Sequence, residues 1–143
     1  MRALRLGGLA IIAVVLATAA VVVASARDQG SAPVTNATIA IHFSKFETTR
    51  LTVPAGVPVT IVLKNEDPIG HEWIVGDSAT HARHRTGTEP YHDEVPTEVS
   101  LRAFETKTTV VVFDEPGTYK LICHLPGHEE YGMKGTIEVV SQD

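Results

Sequence analysis

After residue 26 the chain never sustains the period of a long amphipathic helix; it runs through short stretches rich in Val, Ile, Thr and aromatic residues. Residues 38–43, 57–63, 72–75, 99–101, 108–113, 118–123 and 136–140 read as strands. Turn-forming clusters separate them: Pro54-Ala55-Gly56, Asn65-Glu66-Asp67-Pro68 and Asp114-Glu115-Pro116-Gly117. Along Val57-Pro58-Val59-Thr60-Ile61-Val62-Leu63 every odd position is apolar, so one face suits a core, and Pro58 belongs at an edge or at the start of its strand. Short strands so closely punctuated point to an all-β sandwich or barrel, with antiparallel pairing expected.

Residues 1–26 stand apart from this pattern. Arg2 and Arg5 precede an apolar and small-residue stretch that closes on Ala24-Ser25-Ala26, and a basic start, apolar middle and A-x-A end describe a secretory signal. The stretch approaches the roughly 20 residues that cross a bilayer, so retention as a membrane anchor is the alternative. Either way the basic residues hold the N-terminus on the cytoplasmic side and place the rest outside, making the protein extracytoplasmic: periplasmic, cell-surface or secreted. Residues 27–35, polar with Gly30, Ser31 and Pro33, read as a linker to one domain at 36–143. Membrane contact is expected only through residues 1–26, if they stay uncleaved.

The chain carries 12 Lys and Arg against 17 Asp and Glu, and setting aside Arg2 and Arg5 leaves the remainder more acidic still. No basic patch for nucleic acid is visible, which excludes that class of partner.

In an oxidising compartment structural cysteines come in pairs, and this chain has one, Cys123. A solitary cysteine there is a reactive thiol or a metal ligand. It ends the apolar run Tyr119-Lys120-Leu121-Ile122, and alternation turns Tyr119, Leu121 and Cys123 to one face and His124 to the other. His128 and Met133 follow at a Cys-x4-His-x4-Met spacing, with Leu125-Pro126-Gly127 allowing the loop to fold back.

Thiolate, imidazole and thioether are donors that suit copper, and a trigonal His2Cys set with a long axial Met is the geometry of blue-copper sites. Zinc gains nothing from a thioether, and structural zinc sites favour more thiolates. One further histidine is required. His71 is the leading candidate, because it follows a turn and opens the apolar segment Trp73-Ile74-Val75, where a strand gives a mobile loop a rigid second anchor. The candidate metal ligands are therefore His71, Cys123, His128 and Met133, around one type 1 copper ion.

Residues 79–95 interrupt the strand rhythm with a polar segment bearing His81, His84 and His92. It is too long for a simple turn, and loops of that length in compact domains are often functional. Its histidines read as solvated side chains adaptable to copper capture, with a second metal held by the three as an alternative.

On these residues the chain resembles the cupredoxin, or type 1 blue copper, family; its Cys-x4-His-x4-Met loop is similar to that of rusticyanin and auracyanin. The resemblance covers roughly residues 38–140. It implies a Greek-key β-sandwich of about eight strands, copper ligation by His71, Cys123, His128 and Met133, and shuttling of single electrons between redox partner proteins. Two departures stand out. Glu72 follows His71 where many cupredoxins carry Asn or Ser, and His124 adjoins Cys123 as a histidine does in multicopper oxidases.

The expectation is therefore an extracytoplasmic electron carrier, not an enzyme, that docks transiently with redox partners near His128. Copper sequestration or delivery in the cell envelope is the alternative, and a multicopper enzyme subunit the third reading. The latter lacks support in the chain's want of His-x-His pairs.

Overall fold

Among the described residues nine strands and one short helix follow one another as β1 (Asn36–His42), β2 (Lys45–Phe46), β3 (Arg50–Pro54), β4 (Pro58–Asn65), β5 (His71–Gly76), α1 (Ser78–Thr86), β6 (Glu98–Leu101), β7 (Thr106–Val112), β8 (Gly117–Ile122) and β9 (Lys134–Val140). The computed structural model describes residues 31–87 and 95–142. The expected export segment at 1–26 and His92 lie outside the described residues.

The strands form two sheets, ordered β2-β1-β4-β7 and β3-β9-β8-β5-β6. A single core cluster joins them. Ile39, Ile41, Val59, Ile61 and Leu63 come from the first sheet, and Trp73, Val75, Leu121, Ile137 and Val139 from the second, all at 2% exposure or less. Each such side chain contributes about 1.5–3 kcal/mol through its removal from water. Val59, Ile61 and Leu63 of β4 lie in this core as alternation requires, and Pro58 occupies the exposed first position of its strand.

The expected all-β sandwich is present, with two features that periodicity did not carry. Pairing is mixed, because β1 runs parallel to β4 and β3 parallel to β9. Strands β2 and β3 were also not foreseen. The first is two residues long; the second carries only Leu51 and Val53 as large apolar residues and ends in Pro54, which reads as a turn. At the sheet edge, where β3 pairs with β9 alone, a proline is tolerated. Gly135 permits the close approach there: a Cβ at that position would stand 2.5 Å from the Thr49 carbonyl oxygen.

The larger correction concerns residues 79–95, expected as a loop. Residues Ser78–Thr86 are helical. Apolar periodicity is absent, so the helix rests on its ends and on tertiary contact. Asp77 caps it by accepting from the Thr80 N–H, Gly87 closes it at φ 66°, and basic residues fill the last turn opposite the dipole. It packs against β5 on the outer face of the second sheet, where Ile74 and Ile122 are buried apart from the main core.

Candidate metal centre

Three strand ends meet at one pole of the sandwich. His71 is the first residue of β5, Cys123 immediately follows β8, and Met133 immediately precedes β9. The register of β5 on β8, with Ile74 opposite Ile122, carries the start of one strand past the end of the other. The Glu72 N–H consequently donates to Cys123 Sγ at 3.4 Å.

The 123–133 loop is a succession of tight turns rather than a free excursion. The Cys123 N–H donates to the Met133 carbonyl at 3.2 Å, the Met133 N–H to the His128 carbonyl at 2.9 Å, and the His128 N–H to the Leu125 carbonyl at 3.0 Å. Gly127, at φ 83°, supplies the left-handed step that the fold-back needs. The backbone thus delivers three side chains to one point.

Among the described residues, His71, Cys123 and His128 form the one group of three His, Cys, Asp or Glu residues with ligand atoms all within 4.8 Å of each other. His128 Nδ1 lies 3.3 Å from His71 Nδ1 and 3.3 Å from Cys123 Sγ. Two nitrogens each about 2 Å from one ion in a trigonal plane stand about 3.5 Å apart, so the spacing fits a shared cation. Cys123 and Met133 are both fully buried in the core cluster, and His71 is 1% exposed.

The electrostatics of the two titrating donors follow from their burial. Burial pushes the Cys123 thiol up to about 11, only partly opposed by the N–H groups of Glu72 and Leu125, so thiolate forms here with a cation as partner. Burial, and then the nearness of His71, hold the His128 imidazole below its usual value and leave a lone pair for ligation.

His71 has a partner that the sequence did not reveal. Its Nε2 lies 2.8 Å from Asp67 Oδ2, while the same carboxylate accepts from the N–H groups of Phe43 and Ser44 at 2.7 Å each. Burial would raise the Asp67 pKa, but those backbone donors and His71 outweigh it and the net shift is downward. In the sequence Asp67 reads only as turn punctuation. The available signal was Asx-turn chemistry, since Asn65 Oδ1 accepts from the Asp67 N–H at 3.0 Å.

The remaining histidines arrange themselves differently from expectation. His81, expected solvated, is 1% exposed on the inner side of α1. Its Nδ1 lies 2.9 Å from His124 Nε2 and its Nε2 3.3 Å from the Lys120 carbonyl. His84 Nδ1 reaches the Thr80 carbonyl at 2.9 Å, and its ring stacks on His124. His124 does point away from Cys123, as alternation required, into this second cluster. Burial and then the His81 charge push the His124 pKa down to about 4. Arg85 grips Glu129 in the metal loop with two hydrogen bonds, bracing that loop against the helix.

Comparison with known proteins agrees with this geometry. The cupredoxin-like domain family matches residues 10–139. The copper-resistant cuproprotein CopI of Rubrivivax gelatinosus is 30% identical over 98 residues, covering 66% of this chain and 59% of that protein. Auracyanin-B of Chloroflexus aurantiacus is 30% identical over 109 residues, covering 66% of this chain and 46% of that one. The chain therefore spans about half the length of these curated relatives. Among solved structures, dithionite-reduced auracyanin of Roseiflexus castenholzii superposes with a TM-score of 0.66 at 22% identity, covering 76% of this chain and 99% of that one. Auracyanin A, a "blue" copper protein of Chloroflexus aurantiacus, gives 0.60 at 28% identity, covering 76% and 100%.

Proposed function

Because the chain belongs to the cupredoxin-like family, we propose that it is an extracytoplasmic copper protein that carries single electrons between redox partners, without substrate chemistry of its own. The observation that carries this reading is the convergence of His71, Cys123 and His128 on one point, with the buried Met133 beside them. When bound, copper supplies the one-electron Cu(I)/Cu(II) couple. His71 and His128 would hold it through Nδ1, Cys123 as the thiolate and principal donor, and Met133 through its thioether. The turns of the 123–133 loop keep these donors in place in both oxidation states.

Partners dock transiently near His128, where Leu125 and Pro126 offer a small apolar surface, and the acidic net charge favours basic partners. Residues 1–26 export the chain or anchor it, residues 27–35 link, and 36–143 form the copper domain.

The CopI relatives, named as copper-resistant, favour a second reading: copper sequestration or delivery. That reading relied on loop histidines to collect metal, and the burial of His81 speaks against it. The two differ in solution. An electron carrier loaded with Cu(II) has an intense visible thiolate-to-copper band and reversible one-electron voltammetry; a delivery protein holds Cu(I), stays colourless and surrenders it to a Cu(I) chelator. Voltammetry without a reversible couple contradicts the carrier reading.

A further inference from the structure

Asp67 is 5% exposed and sits where three loops meet. Its carboxylate oxygens accept from the N–H groups of Phe43 and Ser44 and face the Nε2 edge of His71. Its own carbonyl accepts from the Phe104 N–H at 3.1 Å, and its N–H is held by Asn65, whose amide in turn donates to the carbonyls of Ile69 and Arg102 at 2.7 Å each.

Two of the loops tied here adopt unusual backbone. Phe43 and Ser44 have φ of 51° and 54°, and Phe104 has φ of 58°. A bulky side chain at positive φ is costly and persists only where surrounding contacts over-determine it. The two Phe rings are mostly exposed, at 80% and 68%, so it is their backbone N–H groups, aimed at Asp67, that the conformation serves. The carboxylate is fixed independently of any metal.

An ionised carboxylate only accepts, so His71 Nε2 must carry the proton and Nδ1 must present its lone pair to Cys123 and His128. We propose that Asp67 is the positioning residue of the metal centre: it selects the His71 tautomer that ligates through Nδ1, and its buried negative charge, relayed by the imidazole, biases the bound ion toward the oxidised state. Carboxylate partners of metal-bound histidines raise ligand basicity in this way. One electron arrives from the partner on reduction, and no proton moves at Asp67. The inference rests on the ligand set proposed above.

The test compares the full chain with Asp67→Asn and, as a control, Glu66→Gln, which removes the adjacent carboxylate that pairs with Lys64 at the surface. Asp67→Asn is expected to raise the preference for Cu(I) over Cu(II) about tenfold, a potential about 59 mV more positive for a one-electron couple. Glu66→Gln is expected to change it less than about twofold, as an exposed pair does. A shift below about threefold in Asp67→Asn, a negative shift, or an equal shift in Glu66→Gln overturns the proposal. A wild-type protein that takes up copper without a thiolate-to-copper band contradicts the ligand set instead, which separates the two failures. If Asp67→Asn does not fold, 15N chemical shifts of His71 in the copper-free wild type decide: the Nε2–H tautomer is expected, and the Nδ1–H tautomer overturns the assignment.

Discussion

Among the described residues two histidine clusters lie back to back across the Cys123–His124 peptide bond, and only the inner one brings three ligand atoms within 4.8 Å of one another. On the inner side His71 and His128 turn Nδ1 toward each other and toward the thiol, because the outer nitrogen of His71 is engaged by Asp67. On the outer side the side chains of His81, His84 and His124 are also buried, yet their nitrogens meet one another, backbone carbonyls and the carboxylates of Glu98 and Glu129. Both clusters are buried groups of imidazoles, but the inner one also holds the Cys123 thiol. What differs is which nitrogen each ring has left over, and that is decided by the neighbour at the far edge of the imidazole.

The sharpest way to break this comparison is to exchange one residue on each side of the same peptide bond. Cys123→Ser is expected to abolish the visible thiolate-to-copper band, whereas His124→Gln keeps it at near wild-type intensity; absorption spectra of the copper-loaded variants check both. Equal loss in the two would merge the clusters into one functional unit.

A smaller effect is expected on stability. The double variant His81→Gln, His124→Gln should still bind one copper per chain by elemental analysis, while losing about 1–3 kcal/mol in urea denaturation from disrupted buried hydrogen bonds. A second copper in the wild type that vanishes in the double variant would show that the outer cluster holds metal after all.

The outer cluster also predicts a pH dependence. Folding holds the His124 pKa at about 4, below that of the unfolded chain near 6.5, so the unfolded state takes up a proton first as the solution is acidified. This contribution is fully present above about pH 6.5 and is lost progressively down to about pH 4. Urea midpoints of the copper-free protein should fall across that window, and fall less in His124→Gln; an identical fall in both would remove His124 as the cause. The smallest expected effect belongs to the Arg85–Glu129 pair on the loop surface. Arg85→Ala should cost about 0.2–1 kcal/mol, less in high salt, with the copper spectrum unchanged.

The metal loop was legible in the sequence because three unlike donors fall within eleven residues after an apolar strand, a local pattern that needs no knowledge of tertiary structure. His71 was legible by its place between a turn and Trp73-Ile74-Val75, and it does begin β5. Strand β4 announced itself through strict alternation. Helix α1 did not, because Ser78–Thr86 offers no large apolar residue and becomes helical through Asp77, Gly87 and the burial of His81 against β8 and His124. Asp67 was hidden for the same reason: its role arises where the turn at Phe43 and Ser44, the start of β5 and the loop at Phe104 meet, and no spacing within one segment records that encounter.

Copper K-edge X-ray absorption on the loaded full chain tests the central claim most directly. The ligand set predicts a first shell of one short copper–sulfur and two copper–nitrogen scatterers, with that short sulfur scatterer gone in Cys123→Ser. A shell of nitrogen and oxygen alone in the wild-type protein would contradict it.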